Sequence, residues 1–357
     1  MSPSPAPACR RGAGRPRRGA VLHRLALAGA LAASGALLAT SAARASGVPA
    51  AAGVALQVDN DEFASPNRHD RWYSQSIRLH VFEPAPVDGL ARRLAGGWCD
   101  RQACPTDTAV SQRFSLGQSL YMQHDRRLAS PDPQDRPMAG WLWLSGALLV
   151  ESRDETRMAE WQLGLTGPGA LAEPVQRFWH QRVLGVDPAL GWDHQLRPRL
   201  GAQLQLAQAR RWPLAGEHLD LVGRVDAGAG TLFGHAGLGL SLRVGDRLAG
   251  TVMPAETRLA TGRVGAGGRW MLQAGLALRG VAWDRLIGGP AFGYASQVRH
   301  APWVAEGHLG AALEPVAGWR VGVALLRRSL DFTSAATRAG RFGPQTYGAI
   351  TVSVDWR

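Results

Sequence analysis

Beyond residue 46 the chain alternates. Between Ala236 and Val244, residues Ala236, Leu238, Leu240, Leu242 and Val244 share one parity, and Gly237, Gly239, Ser241 and Arg243 share the other. Between Trp270 and Arg279, Trp270, Leu272, Ala274, Leu276 and Leu278 oppose Met271, Gln273, Gly275, Ala277 and Arg279. Segments 200–206 and 319–325 repeat the theme. A period of two is that of a β-strand, whose successive side chains point to opposite faces. No apolar run of 18 or more residues follows the first 45, which excludes helical membrane spans. The pattern predicts an all-β chain of about twelve strands. They lie near 54–59, 72–82, 114–121, 139–150, 157–165, 199–209, 217–225, 236–244, 270–279, 303–313, 318–332 and 347–356. Stretch 246–302 is the least regular, and neither an internal repeat nor a linker divides the chain.

A soluble sandwich also alternates, but its apolar faces meet in a shared core. A membrane barrel turns them to lipid and keeps polar side chains in the lumen. Three features favour the antiparallel transmembrane barrel. The apolar parity is Leu, Ala and Val with Trp near strand ends, as at a membrane interface. Arg and Gln recur on the opposite parity, and the last segment carries Trp356 almost to the C-terminus. An even strand count puts both ends of the barrel on one side, expected to be periplasmic. Strand parity then brings Asp59-Asn60-Asp61, Trp72-Tyr73-Ser74 and the long segment 166–198 together at the outer rim.

The first 45 residues stand apart. Arg10, Arg11, Arg15, Arg17, Arg18 and Arg24 precede an apolar stretch from Leu25 to Leu38, and Ala43-Arg44-Ala45 gives a small-x-small site. This is the pattern of a cleaved signal peptide, residues 1–45, ahead of one barrel domain, 46–357. An apolar stretch of roughly 14 residues is too short to span a bilayer. The leader changes the charge argument. The chain carries +12, but residues 1–45 hold seven arginines and no acid, so most of the excess leaves with them. A nucleic-acid partner is therefore not expected. All 40 basic residues are Arg. Arg forks suit phosphate, although a biased nucleotide composition explains the usage as simply. Of three cysteines, Cys9 lies in the leader. Cys99 and Cys104 remain as an even pair in a Gly- and Pro-flanked loop, and an exported pair predicts one disulfide.

Segment 166–198 breaks the alternation. From Ala170 to Leu184 its character is helical, and Gly185 and Pro188 stop it. Gln176 and His180 lie four apart and share a face. Val175, Phe178 and Trp179 form an apolar side suited to packing on the barrel rim. A short helix in an extracellular loop can hold a side chain rigidly over a site.

Here a resemblance becomes specific. Asn60-Asp61-x-Phe63 with Asp70-Arg71-x-Tyr73-Ser74, then Asp135-Arg136-Pro137-x-Ala139-Gly140-Trp141-Leu142, then Gly167-Pro168, Val175-Gln176, His180 and Gly191-Trp192-Asp193-x-Gln195-Leu196 resemble, in order and spacing, the motifs of the lipid A 3'-O-deacylase (LpxR) family. The resemblance spans most of residues 54–357. It implies a twelve-stranded barrel in the bacterial outer membrane with its site facing the outer leaflet. It also implies a carboxylic ester hydrolase, dependent on calcium (Ca2+), that removes the 3'-linked acyloxyacyl chain of lipid A or lipopolysaccharide. The residues implied are His180, Asn60 and Ser74 in catalysis, with Asp61 and an acidic residue after the His as calcium ligands. Asp187 is the nearest such acid, where Glu is usual, and Asp193 is a substitute. Ser74 stands for the usual Thr, Ser76 for Gly and Met138 for Tyr. Region 83–112 is additional to the family pattern, and is expected to form a larger periplasmic connection.

The residue types fit that chemistry on their own terms. His is suited to activating water near neutral pH, and calcium takes oxygen ligands and can polarise an ester carbonyl. Simpler roles compete. Asn60 and Asp61 suit a turn, and Ser74 shares its parity with Ser76, Arg78 and His80, so it could merely line the lumen. The alternative functions are an outer-membrane phospholipase and a non-enzymatic barrel or pore. A monomer surrounded by outer-membrane lipid is expected.

Overall fold

The computed structural model describes residues 52–64, 71–102, 104–250, 268–288, 292 and 294–356. The predicted leader, Asp70 of the first motif and part of the irregular 246–302 stretch lie outside them. Among the described residues, twelve strands close an antiparallel barrel. They are β1 (Ala52–Asn60), β2 (Trp72–Pro84), β3 (Ala109–Met122), β4 (Ala139–Glu151), β5 (Glu155–Thr166), β6 (Arg199–Ala215), β7 (Leu219–Gly230), β8 (Phe233–Gly245), β9 (Trp270–Asp284), β11 (Trp303–Val316), β12 (Trp319–Arg328) and β14 (Gln345–Trp356). Closure is between the first and last, with Ala52 opposite Trp356 and Asn60 opposite Gly348. Each expected strand is present. The stretch expected to run from 318 to 332 ends at Arg328. Beyond it, β13 (Phe332–Thr333) pairs with β10 (Arg299–His300) as a separate two-stranded sheet at the rim.

Parity sorts the wall as the pattern required. Leu238, Leu240, Leu242 and Val244 of β8 and Leu272, Leu276 and Leu278 of β9 are exposed on the outside. Their neighbours in sequence point inward, where a wide polar surface would be costly if left unpaired. It is instead cross-linked. Arg113 meets Glu160 at 2.8 Å, and Arg243 and Arg211 share Asp220 at 2.8 and 2.9 Å. Arg328 meets Glu306 at 3.1 Å, and Tyr73 and Arg78 both donate to Asp59. What remains open inside is a chamber of about 200 Å³ below the rim, lined by residues including Tyr73, Tyr121, Asp226, Arg279 and Tyr347.

Loops close the rim above it. Trp72, Ile287, Val298, Phe332 and Phe342 form one apolar cluster there. Asp135 accepts from the Trp72 indole at 2.9 Å and from the Arg136 N–H at 2.7 Å. Arg136 reaches Asp331 at 3.1 Å and stacks over Tyr121. Burial pushes the Asp135 carboxyl above its ordinary value, against the pull of those donors. The Asp135-Arg136 pair of the second motif is thus a fastening for the plug.

At the opposite end, where the described termini pair, the connection from β2 to β3 is not the loop expected. It holds α1 (Leu90–Gln102). Two adjacent glycines, Gly96 and Gly97, and a nearby Pro masked the helical signal in the sequence. Cys99, on this helix, is bonded to Cys104 just after it, so the expected disulfide is formed.

Candidate functional site

After β5 the chain makes a short 3₁₀ turn, Gly167–Ala170, and then passes through Leu171 at φ 57°. It enters α2 (Ala172–Phe178) and continues as a π-helical turn, Trp179–Leu184, which Gly185 ends at φ 70°. The helix is where the sequence predicted it, but its packing face is not. Val175, Phe178 and Trp179 are partly or fully exposed, and the buried positions are Ala172, Gln176 and His180, one turn apart. The wall explains this. Gln118, Leu120 and Met122 of β3 share the outward parity of Phe114 and Leu116, and Gly140 of β4 shares that of Leu144. All four wall positions are covered by the helical segment or its partners. Leu120, Met122, Met138, Ala172, Ala189 and Trp192 form one cluster. Gln118 donates to the Ala170 carbonyl at 2.6 Å. Gln176 donates to the Met122 sulfur at 3.0 Å and accepts from the Trp192 indole at 2.7 Å. A Cβ at Gly140 would stand 2.7 Å from that of Ala172. The helix therefore rests on the lipid-facing flank of the barrel, near the rim, and not over the lumen. Its outward side is mixed, with Leu171 and Phe178 exposed beside Arg177, Gln181 and Arg182.

His180 is buried on the wall side. Its Nδ1 lies 3.0 Å from the Asp187 carbonyl oxygen. Arg126 Nη1 donates to the same carbonyl at 3.2 Å and stands 3.5 Å from Nδ1. A guanidinium has no acceptor, whereas one carbonyl oxygen can accept twice. The arrangement thus favours the proton on Nδ1 and the basic lone pair on Nε2. The π-turn contributes as well, because the Val186 N–H returns to the His180 carbonyl at 2.9 Å and folds residue 187 back under the ring.

The second part of the site comes from the far side of the closure. β1 ends in a 3₁₀ turn, Asp61–Phe63, capped by Asn60, whose side chain accepts from the Glu62 N–H at 2.8 Å. Asp61 is buried and accepts from the Arg71 N–H at 2.7 Å. Phe63 fills the outward face of Gly348 on β14, where a Cβ would come within 2.6 Å of its own. Its ring meets Trp179 edge-on at 6.4 Å. Phe63 and Trp179 thereby join the turn bearing Asn60 and Asp61 to the helix bearing His180.

Ser74 differs from its expected setting. The β2–β3 register slips between Tyr73 and Gln75, leaving Ser74 as the extra residue of a β-bulge. Below the bulge Ser76, Arg78 and His80 keep the inward parity, as expected. At the bulge it is Tyr73, not Ser74, that lines the chamber. Ser74 is buried beside Gln75, which pairs with Asn60. Asp187 and Asp193 both expose their side chains, and Asp187 enters the site through its backbone. Among the described residues no three His, Cys, Asp or Glu side chains are grouped as a metal cluster. Arg126 was not marked by any motif or spacing, and only the fold shows its contact with His180.

A profile of the family described as "Outer membrane protein LpxR" matches residues 25–356. No curated protein matches the chain. Among solved structures it is similar to LpxR from Salmonella typhimurium, at 16% identity and a TM-score of 0.64, covering 85% of this chain and 100% of that one. It also matches the COG4313 outer membrane channel from Pseudomonas putida F1 at 10% identity, covering 89% of this chain and 100% of that one. The TM-score there is 0.42, too low to bear on function.

Proposed function

Since the chain belongs to the LpxR family of outer-membrane proteins, we propose that it is an ester hydrolase removing the 3'-linked acyloxyacyl chain of lipid A, with His180 as general base. The observation that carries this reading is the position of the site on the lipid-facing flank. His180 is buried between the outer wall and its helix, Asn60, Asp61 and Ser74 are buried at the adjacent strand ends, and the contact of Phe63 with Trp179 links the two parts. A substrate held in the membrane can reach such a site sideways, without leaving its leaflet. A pore would need an open lumen, and here the lumen is cross-linked by ion pairs.

His180 Nε2 would take the proton of an attacking water, while the Asp187 carbonyl holds the ring and favours the imidazolium that forms. Asn60 and Ser74, on neighbouring strand ends, would orient water or the ester by hydrogen bonding. Calcium fits the donor chemistry at Asp61, a buried carboxylate that follows the amide oxygen of Asn60, both hard oxygen ligands. Asp187 fits less well, because its carboxylate is exposed; it is at most an outer ligand. Bound at Asp61, a calcium ion would supply Lewis-acid polarisation of the ester carbonyl.

The test is mass spectrometry of lipid A incubated with the refolded protein, with calcium, with chelator, and with His180→Ala. Loss of one acyloxyacyl unit is expected only for the wild type with calcium. Removing the base should lower the rate by about 10³-fold while the barrel stays folded. Fatty acid released from phospholipid instead would move the enzyme to the phospholipase class. No release from either lipid would overturn the reading.

A further inference from the structure

The region added to the family pattern sits on the same side of the wall as the lipid. Val150 of β4 and Arg157 of β5 have the outward parity of Leu144 and Trp161, yet both are buried. What covers them is the β2–β3 connection. The Arg157 guanidinium lies 3.7 Å from Cys104 Sγ, and Ala95 of α1 is 1% exposed against β3 and β4. Helix α1 is therefore fixed against the outside of the barrel at the end where the described termini pair.

The rest of its surface is amphipathic. Leu90 and Leu94, one turn apart, are 72% and 57% exposed, and Val87 just before the helix is exposed as well. Trp98 continues the stripe at the next turn, partly buried. Arg93 borders it and Arg101 ends it, while Arg92, on the far side, donates to the Ala85 carbonyl at 2.9 Å; Asp100 is the one acid of the helix. The helix packs on β3 and β4, the strands whose outer face carries the exposed Phe114, Leu116 and Leu144, so the stripe lies on the lipid-facing side of the wall. An apolar stripe edged by arginines is the form of a helix lying in a headgroup layer, where Arg stems can bury along apolar surface and keep the charge in water.

We propose that α1 is an interfacial helix seated in the phospholipid leaflet at the terminal end of the barrel, with Leu90 and Leu94 inserted among acyl chains and the arginines at the phosphates. This surface requires only that the barrel spans a membrane, and is independent of catalysis. The Cys99–Cys104 bond closes the helix end onto the wall and holds the stripe at that depth.

The test uses the protein produced with its own leader and reconstituted in nanodiscs of phosphatidylethanolamine and phosphatidylglycerol. A photocrosslinking p-benzoylphenylalanine replaces Leu94, and in separate variants Leu90, Asp100 and, as a lipid-facing control, Leu116. After irradiation, phospholipid adducts are read by mass spectrometry. Positions 94 and 90 should give adducts at a yield within about threefold of position 116, and position 100 at least tenfold less. Adducts at 94 and 90 to this chain or to a second copy, or no more adduct there than at 100, would overturn the proposal, provided position 116 reacts with lipid. The same comparison on a His180→Ala background gives the same answer whether or not the hydrolase reading holds.

Discussion

The role proposed for His180 rests on a carbonyl seven residues on. With Nδ1 committed to the Asp187 oxygen, the ring can serve only through Nε2, and no change of the Asp187 side chain alters that bond. This separates Asp61 from Asp187, the nearest acid after the His, where the family has Glu. Asp61→Asn removes a buried carboxylate, and the calcium concentration giving half-maximal deacylation should rise more than about tenfold, the equivalent of about 1.4 kcal/mol. Asp187→Asn should change it by less than about threefold, because the carbonyl remains. A calcium titration of both variants checks this. Equal shifts would make Asp187 a true ligand and call for a different placement of its side chain.

Between a residue and the barrel lies the seat of the helix. The apolar side of α2 was expected to be its packing side, as it would be on a soluble protein. Near the rim of a membrane barrel an exposed helix face can meet both lipid and headgroups, so Phe178 can face outward beside Arg177 and Arg182, while Gln176 and His180 are buried and paired. Gly140 is what lets the helix come close. Gly140→Leu should push α2 off the wall, costing about 1–3 kcal/mol of local packing and nearly all deacylase activity. The strands should be untouched, so circular dichroism and the heat-dependent gel mobility of the barrel are expected to stay as in the wild type. Retained activity would show that the helix need not touch β4. Element α1 teaches the converse lesson. That region 83–112 is additional was readable, but glycines at 96 and 97 hid the helix in it, which packs through Ala95 and is closed by the disulfide.

At the scale of the whole molecule the lumen bears on the choice between the proposed enzyme and a pore. Pairs such as Arg113 with Glu160 and Arg243 with Asp220 cross between strands, and the loop plug fastened by Asp135 and Arg136 covers the rim. Purified protein in planar bilayers is expected to give no stepwise conductance at neutral pH. Stable unitary steps in the absence of lipid A turnover would mean that the plug moves and that a channel function must be considered. Such a result would leave the lateral site in need of another explanation.

The architecture was legible in the chain, because a strand's period of two and the absence of any long apolar run after the leader leave few ways to satisfy a backbone in lipid. The sequence also marked Asn60, Asp61, Ser74 and His180, since their motifs are local and survive in linear spacing. It could not decide on which side of the wall His180 lies. Outward parity on a strand reads as lipid contact whether the position touches lipid or a helix laid over it, so Gln118, Leu120, Met122 and Gly140 carried no sign of their cover. The bulge at Ser74 shifts one residue without changing composition, and the partnership of Arg126, Asp187 and His180 joins two loops far apart in the chain. Those were settled by tertiary structure alone, because they depend on which surfaces come together in space.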